Sequence, residues 1–293
     1  MNYRTMLMAV AFALVLTACG QPAAQTPTAS PAATVAPIAT TTAAQATPSA
    51  PSPAPAGVLP IPLLFVDEGS QIVRLDVDGK TRTTLAREPV MIIAFARSPD
   101  GATIAYITID ESQNSTLVRI GADGANRAEL ARGFIRSLAV ARDGSVQAGM
   151  LFDSVAADGQ ALQDGAWSFP ADGGTPTLLA ASTEPSEQTG PGTHYQPSLW
   201  SADGTQLLLM LTMNDGPDGP AGDIGTIGWA LYSTSSGQVR ELLPMGQEPL
   251  CISPAWSQAG DAIYCANAGA IPAPTPGLWR LSLGDGAQQT LIE

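Results

Sequence analysis

Two short glycine motifs alternate from Val58 to the last residues, and they constrain this chain more than any other feature. The first reads Gly-x-x-[Arg/Pro/Gln]-x-x-[Leu/Ile] and occurs at Gly79, Gly124, Gly173, Gly237 and Gly286, with Asp before the Gly in four of the five. The second is a turn: Ser98-Pro99-Asp100-Gly101, Ala141-Arg142-Asp143-Gly144, Ser201-Ala202-Asp203-Gly204 and Ser257-Gln258-Ala259-Gly260. Glycines of the first motif are spaced 45, 49, 64 and 49 residues apart. A period in this range marks a repeated supersecondary unit that buries its apolar surface against its neighbours. Pro presets φ at the second residue of such a turn, and Gly accepts the positive φ that closes it.

Between the turns lie short runs of β-branched and apolar residues. In Met91–Ala131 they predict strands near Met91–Ala96, Thr103–Ile109, Thr116–Gly121 and Arg127–Ala131. Four antiparallel strands joined by tight turns make a meander, the unit of a β-propeller blade. The chain is therefore expected to be all-β, a β-propeller of five four-stranded blades over residues 58–293. Leu63–Val66 matches the second strand of a unit, so the first unit has a missing or irregular inner strand. Closure would use Val58–Ile61 or remain non-covalent and incomplete.

Charge narrows the partners. The net charge is −13 and Lys80 is the only lysine. Nucleic acid is excluded as a partner, because its phosphates demand a surplus of Lys and Arg, and so is a polybasic membrane patch.

Residues 1–19 read as an export signal: Arg4, then the apolar run Met6–Leu16, then Leu16-Thr17-Ala18-Cys19-Gly20. The run is short for a membrane span. The last five residues resemble the lipobox of bacterial lipoproteins. That resemblance implies diacylglycerol (palmitate-type) transfer to the Cys19 thiol, cleavage before Cys19, and a lipid-anchored protein in the cell envelope facing the periplasm or exterior. Two or three acyl chains, at about 0.8 kcal/mol per buried CH₂, hold a protein stably on a bilayer. Residues 20–57 contain no charged residue and consist almost wholly of Ala, Pro, Thr, Ser and Gln. They cannot bury a core, and read either as a disordered tether with a reach of roughly 35 Å or as a glycosylated stalk.

Ser98-Pro99-Asp100-Gly101, the following Ile104–Tyr106, and the Trp-Ser pairs Trp200-Ser201 and Trp256-Ser257 together resemble the WD-like repeat of TolB-type β-propellers. The resemblance covers about Val58 to Glu293. It implies a rigid extracytoplasmic domain that binds protein or peptide.

Catalysis finds little support. There is no Gly-x-Ser-x-Gly elbow, His194 is the only histidine, and no serine stands out beside it. Asn214, Asp215, Asp218 and Asp223 offer oxygen ligands of the kind Ca²⁺ takes, but without EF-hand spacing or a terminal bidentate Glu. The preferred reading is an exposed turn-rich insertion, with no cofactor. Trp200 and Trp256 would end inner strands; Trp167, Trp229 and Trp279 would lie in third strands, a regular placement that suits packing between blades. Export permits a disulfide, and a hairpin around Ser257–Gly260 would set Cys251 opposite Cys265 or its immediate neighbour.

Long insertions fall in one set of connections only: Asp153–Gly165, Ser182–Tyr195, Asn214–Ile227 and Asn267–Gly277. In a four-stranded blade these share one face, while the Asp-Gly turns share the other. The insertions are acidic and contain the pair His194-Tyr195, so the expected binding face includes His194, Tyr195, Asp215, Asp218 and Asp223. It would suit a basic peptide, a basic protein patch or a divalent cation. The expected function is a membrane-anchored binding or scaffold lipoprotein. The alternatives are a cell-wall or carbohydrate-acting enzyme using the propeller face, or an accessory subunit of an envelope complex.

Overall fold

A computed structural model of the chain describes residues 58–186, 191–214, 227–247, 251–267, 277–284 and 286–292. The signal segment with Cys19, and residues 20–57, lie outside them. The described residues form an all-β propeller of antiparallel sheets. Its first sheet has three strands: β1 (Leu63–Asp67), β2 (Gln71–Leu75) and β3 (Arg82–Arg87). The inner strand is absent from this sheet. Val58–Ile61 forms no strand, and Leu59 N donates instead to Val77 O (3.0 Å), beside the β2–β3 turn.

Next come β4 (Met91–Arg97), β5 (Thr103–Ile109), β6 (Ser115–Gly121) and β7 (Ala128–Val140). They are followed by β8 (Val146–Ala156), β9 (Ala161–Leu162), β10 (Gly165–Phe169) and β11 (Thr177–Ala181). All eight belong to one sheet. The repeat predicts a separate outer strand at Arg127–Ala131 and a new inner strand after it. Instead β7 runs through both places. Only Arg132-Gly133 lies between the two apolar stretches, which is too little for a loop. Gly133, at φ 132°, bends the strand without ending it. Then follow β12 (Gly192–Trp200), β13 (Gln206–Asn214), β14 (Gly228–Ser233) and β15 (Gln238–Leu243) as one four-stranded sheet. The last sheet is β16 (Ser253–Trp256), β17 (Ala262–Asn267), β18 (Gly277–Ser282) and β19 (Gln288–Ile292).

Second strands read as continuous apolar runs: Ile104–Ile107 in β5, Leu207–Leu209 in β13. A strand buried on both faces needs no alternation. In β5 and β13 alternate residues join different core clusters on the two faces, so residues pointing either way are covered. Leu207, Leu208 and Leu209 are all fully buried, each contributing about 1.5–3 kcal/mol of hydrophobic stabilisation. Sheets also touch through their turns. A Cβ on Gly124 would stand 2.3 Å from Leu85 O on β3, so that turn closes on the previous sheet only because it carries none. Glu88 accepts from the buried Tyr106 hydroxyl and from Arg127 Nε (2.9 Å), tying the first sheet to the second.

Three of the four turns of the second motif share one side-chain clamp built on a serine; Ala141 stands at that place in the fourth. Ser98 Oγ donates to Asp100 Oδ1 (2.5 Å) and accepts from Thr103 N (3.0 Å). Ser201 repeats it with Asp203 (2.6 Å) and Gln206 N (3.0 Å). At Ser257 the clamp survives a shifted carboxylate: Ser257 Oγ donates to Asp261 Oδ1 (2.8 Å), one residue past Gly260. In each turn the serine hydroxyl is the main reason the aspartate carboxyl is held below its usual range.

Cys251 and Cys265 are joined, with Cα atoms 4.9 Å apart. The register differs from the one the hairpin suggests: Cys265 sits opposite Pro254, not Cys251. Cys251 precedes β16 and reaches β17 from outside the ladder, where Cys251 O also accepts from Trp229 Nε1 (2.8 Å).

Candidate functional site: the insertion edge and the turn cleft

Every described piece of the four insertions lies at the same strand ends: after β8, before β10, after β11, before β12, after β13, before β14, after β17 and before β18. At their centre β8 carries a bulge. Arg132 pairs with Val155 and Phe134 with Leu151, so the intervening β8 residues outnumber those of β7. Phe152 and Asp153 take positive φ (27° and 52°). A bulky residue in that region is an outlier, and such strain gathers at working sites. Ser154 closes the bulge, donating to Leu151 O (2.7 Å) and accepting from Phe134 N (3.2 Å). The result turns Phe152 outward, 37% exposed, with its ring 6.0 Å from Phe134 and 6.1 Å from His194. Arg136 lies 4.1 Å over the other ring, that of Phe134.

His194 and Tyr195 belong to β12 and not to a loop, which corrects the sequence expectation. His194 pairs with Thr212, is only 6% exposed, and has Nδ1 3.3 Å from Ser182 Oγ. The insertion is shorter than the sequence suggests because Thr183 and Thr193 bridge across it, N to O at 3.0 and 3.1 Å. A Cβ on Gly192 would stand 1.9 Å from Thr183 O, so the close approach requires glycine there. Burial pushes the His194 ring toward its neutral form, against the pull of Asp164 and Glu184. Asp164 is raised in turn, first by burial, although the Phe152 N–H bonds to it and His194 is near.

Asn214 ends β13 and donates Nδ2 to Thr183 O (2.9 Å). Asp215, Asp218 and Asp223 lie outside the described residues. Among the described residues no group of three His, Cys, Asp or Glu is placed to hold a metal ion. The acidic residues that the structure brings to this edge are Asp153, Asp164 and Glu184. The aromatic part, Phe134 and Phe152, had no signal in the sequence, because only the bulge aims it.

The opposite strand ends hold a feature that sequence reasoning missed. A cleft of about 450 Å³ opens between the β7–β11 and β12–β15 units, beside the Asp-Gly turns. Trp200 and Tyr232 line it, with Arg142, Asp143, Ser168 and Asp203. At its base the buried Gln147 accepts from Trp200 Nε1 (2.6 Å) and donates to Ser145 Oγ (2.9 Å) and Ser168 Oγ (3.0 Å), fixing the indole. Arg142 Nη2 donates across the mouth to Ala202 O (3.0 Å). The recurrent Trp-Ser pair and the Arg in one turn are the signals available in the sequence.

No family model matches this sequence, and no curated protein matches it. Among solved structures it is similar to an oligogalacturonate lyase in complex with manganese, at 14% identity and TM-score 0.57 over 81% of this chain. The chain spans 64% of that protein's length. A putative TolB from Agrobacterium tumefaciens aligns at 16% identity and TM-score 0.47, over 76% of this chain and 70% of the other. The propeller of a nidogen/laminin complex aligns at 14% identity and TM-score 0.45, over 76% and 72%. At these identities the likeness is one of fold.

Proposed function

We propose that this protein is a membrane-anchored, extracytoplasmic binding lipoprotein whose insertion edge recognises a basic peptide or a basic patch on another protein. The observation that carries the reading is the strained bulge that turns Phe152 outward amid Asp153, Asp164 and Glu184. An exposed aromatic supplies apolar contact area, and the carboxylates around it select positive charge and steer its approach. Arg136 stacks on Phe134 and occupies one ring face there. A second guanidinium or ammonium has the Phe152 ring open to it. Placement on the outside of a bacterial membrane rests on the Leu16–Gly20 segment, and the tether gives the domain clearance from the bilayer.

Binding of a fluorescent Arg/Lys-rich peptide, an acidic peptide of equal length serving as comparison, tests the reading. The basic peptide is expected to bind alone and to weaken as salt rises. Asp153→Asn with Glu184→Gln is expected to weaken it by roughly tenfold, on the order of two exposed charge pairs. Equal binding of both peptides, or no change in the double variant, overturns it.

A further inference from the structure

We infer that the turn-side cleft between the β7–β11 and β12–β15 units is a second binding site, for a neutral saccharide. It goes beyond the reading of the insertion edge and uses the opposite strand ends. The volume, about 450 Å³, falls in the range of small-molecule sites, which are mostly apolar with a few placed polar groups. Trp200 and Tyr232 supply aromatic surface against which the C–H face of a sugar ring can pack. The indole is held by the Gln147 amide before any ligand arrives, so ordering it costs nothing on binding.

Charge decides among ligand classes. Among the described residues Arg142 is the only cation lining the cleft, and Asp143 and Asp203 line it too. It also donates to Ala202 O and lies near Asp100, whose carboxyl is held low chiefly by Ser98 and the Ala102 N–H, with Arg142 adding least. No surplus positive charge is left for a phosphate or carboxylate, so an anion is disfavoured. A divalent cation lacks its ligands, because among the described residues no three acidic or metal-binding side chains gather. A purely apolar ligand would strip water from the turn carboxylates and the guanidinium without replacing their hydrogen bonds. Sugar hydroxyls both donate and accept, as these groups require. Asp143 accepts from Ser145 on Oδ1 and keeps Oδ2 for a hydroxyl. The Tyr232 hydroxyl bonds to nothing among the described residues, and Ser168 Oγ, which accepts from Gln147, still has its proton to give.

The test is titration calorimetry and saturation-transfer NMR on the full chain with maltose, cellobiose and N,N′-diacetylchitobiose, and with digalacturonate as anionic probe. At least one neutral disaccharide is expected to bind, and digalacturonate to bind more weakly than it. Tyr232→Phe and Asp143→Asn, checked for an unchanged melting temperature, are each expected to weaken that binding roughly tenfold, the loss of one good hydrogen bond. Should either variant melt early, Ser168→Ala replaces it, with the same loss expected. The inference is overturned if no neutral disaccharide binds at tens of millimolar, if digalacturonate binds best, or if the variants bind as tightly as the parent.

Discussion

His194 shows how one side chain takes its character from where the strands put it. The ring is buried against Phe152 and Ser182, and burial outweighs the attraction of Asp164 and Glu184 for its proton. Its folded-state pKa lies below the unfolded value of about 6.5. The unfolded chain therefore binds the proton first, and the contribution of His194 to stability is complete above the unfolded pKa and lost as pH falls toward the folded one. Asp164 acts with the opposite sign: its folded pKa is raised, so the stability it withholds above that value returns as pH falls toward the unfolded value of 3.8. Denaturant melts taken at steps between about pH 7 and pH 5 are expected to show falling stability in the parent and a flatter profile in His194→Gln. The same slope in both proteins would mean that the ring is protonated as readily in the fold as in the open chain.

At the scale of elements, turns were far more legible than joins. Glycine closes such turns at positive φ, and Gly101, Gly144 and Gly204, each after Asp, and Gly260, after Ala259, all adopt it, between 73° and 81°. The strands flanking them in β5 begin and end where the apolar runs do. The passage from one unit to the next carries no such mark. Arg132-Gly133 continues a strand because the partner strand β8 is long enough to pair with both halves, which is a property of distant residues. His194 was misread for a similar reason: its strand extends to meet Thr212, and the Thr183–Thr193 bridge that shortens the insertion is invisible to local pattern. The cystine belongs to this scale as well. It ties the approach to β16 onto β17 across a separation of 14 residues. A loop of that length gives about 3 kcal/mol at most. In a Cys19→Ser background, thiol titration of denatured, unreduced protein is expected to find no free thiol, and Cys251→Ser with Cys265→Ser to lower the melting temperature by several degrees. Two titratable thiols would rule the bridge out.

For the whole molecule the first question is its address, and that rests on Cys19. Expressed in a bacterium, Cys19→Ser is expected to appear in the soluble fraction or to keep its signal segment. Only the parent should incorporate a labelled fatty acid. Label on the Ser variant would remove the lipoprotein reading and leave the propeller without an anchor. The two strand-end faces differ in character: an acidic, aromatic edge on one side and a cleft with balanced charge on the other.

The uninterrupted β7 changes how such a repeat protein comes apart. In an array of separate units each interface is a seam, and the units can open one after another. Here a hydrogen-bonded ladder runs from β4 to β11 through a shared strand, so two units have become one cooperative block. The seams that remain are at the three-stranded β1–β3 sheet, at the β12 boundary, and between β15 and β16. Any breathing of the molecule is channelled to those places, and the boundary at β12 is the one that both the Phe152–His194 contact and the turn cleft straddle. A ligand wedged on either face there would grip the same hinge.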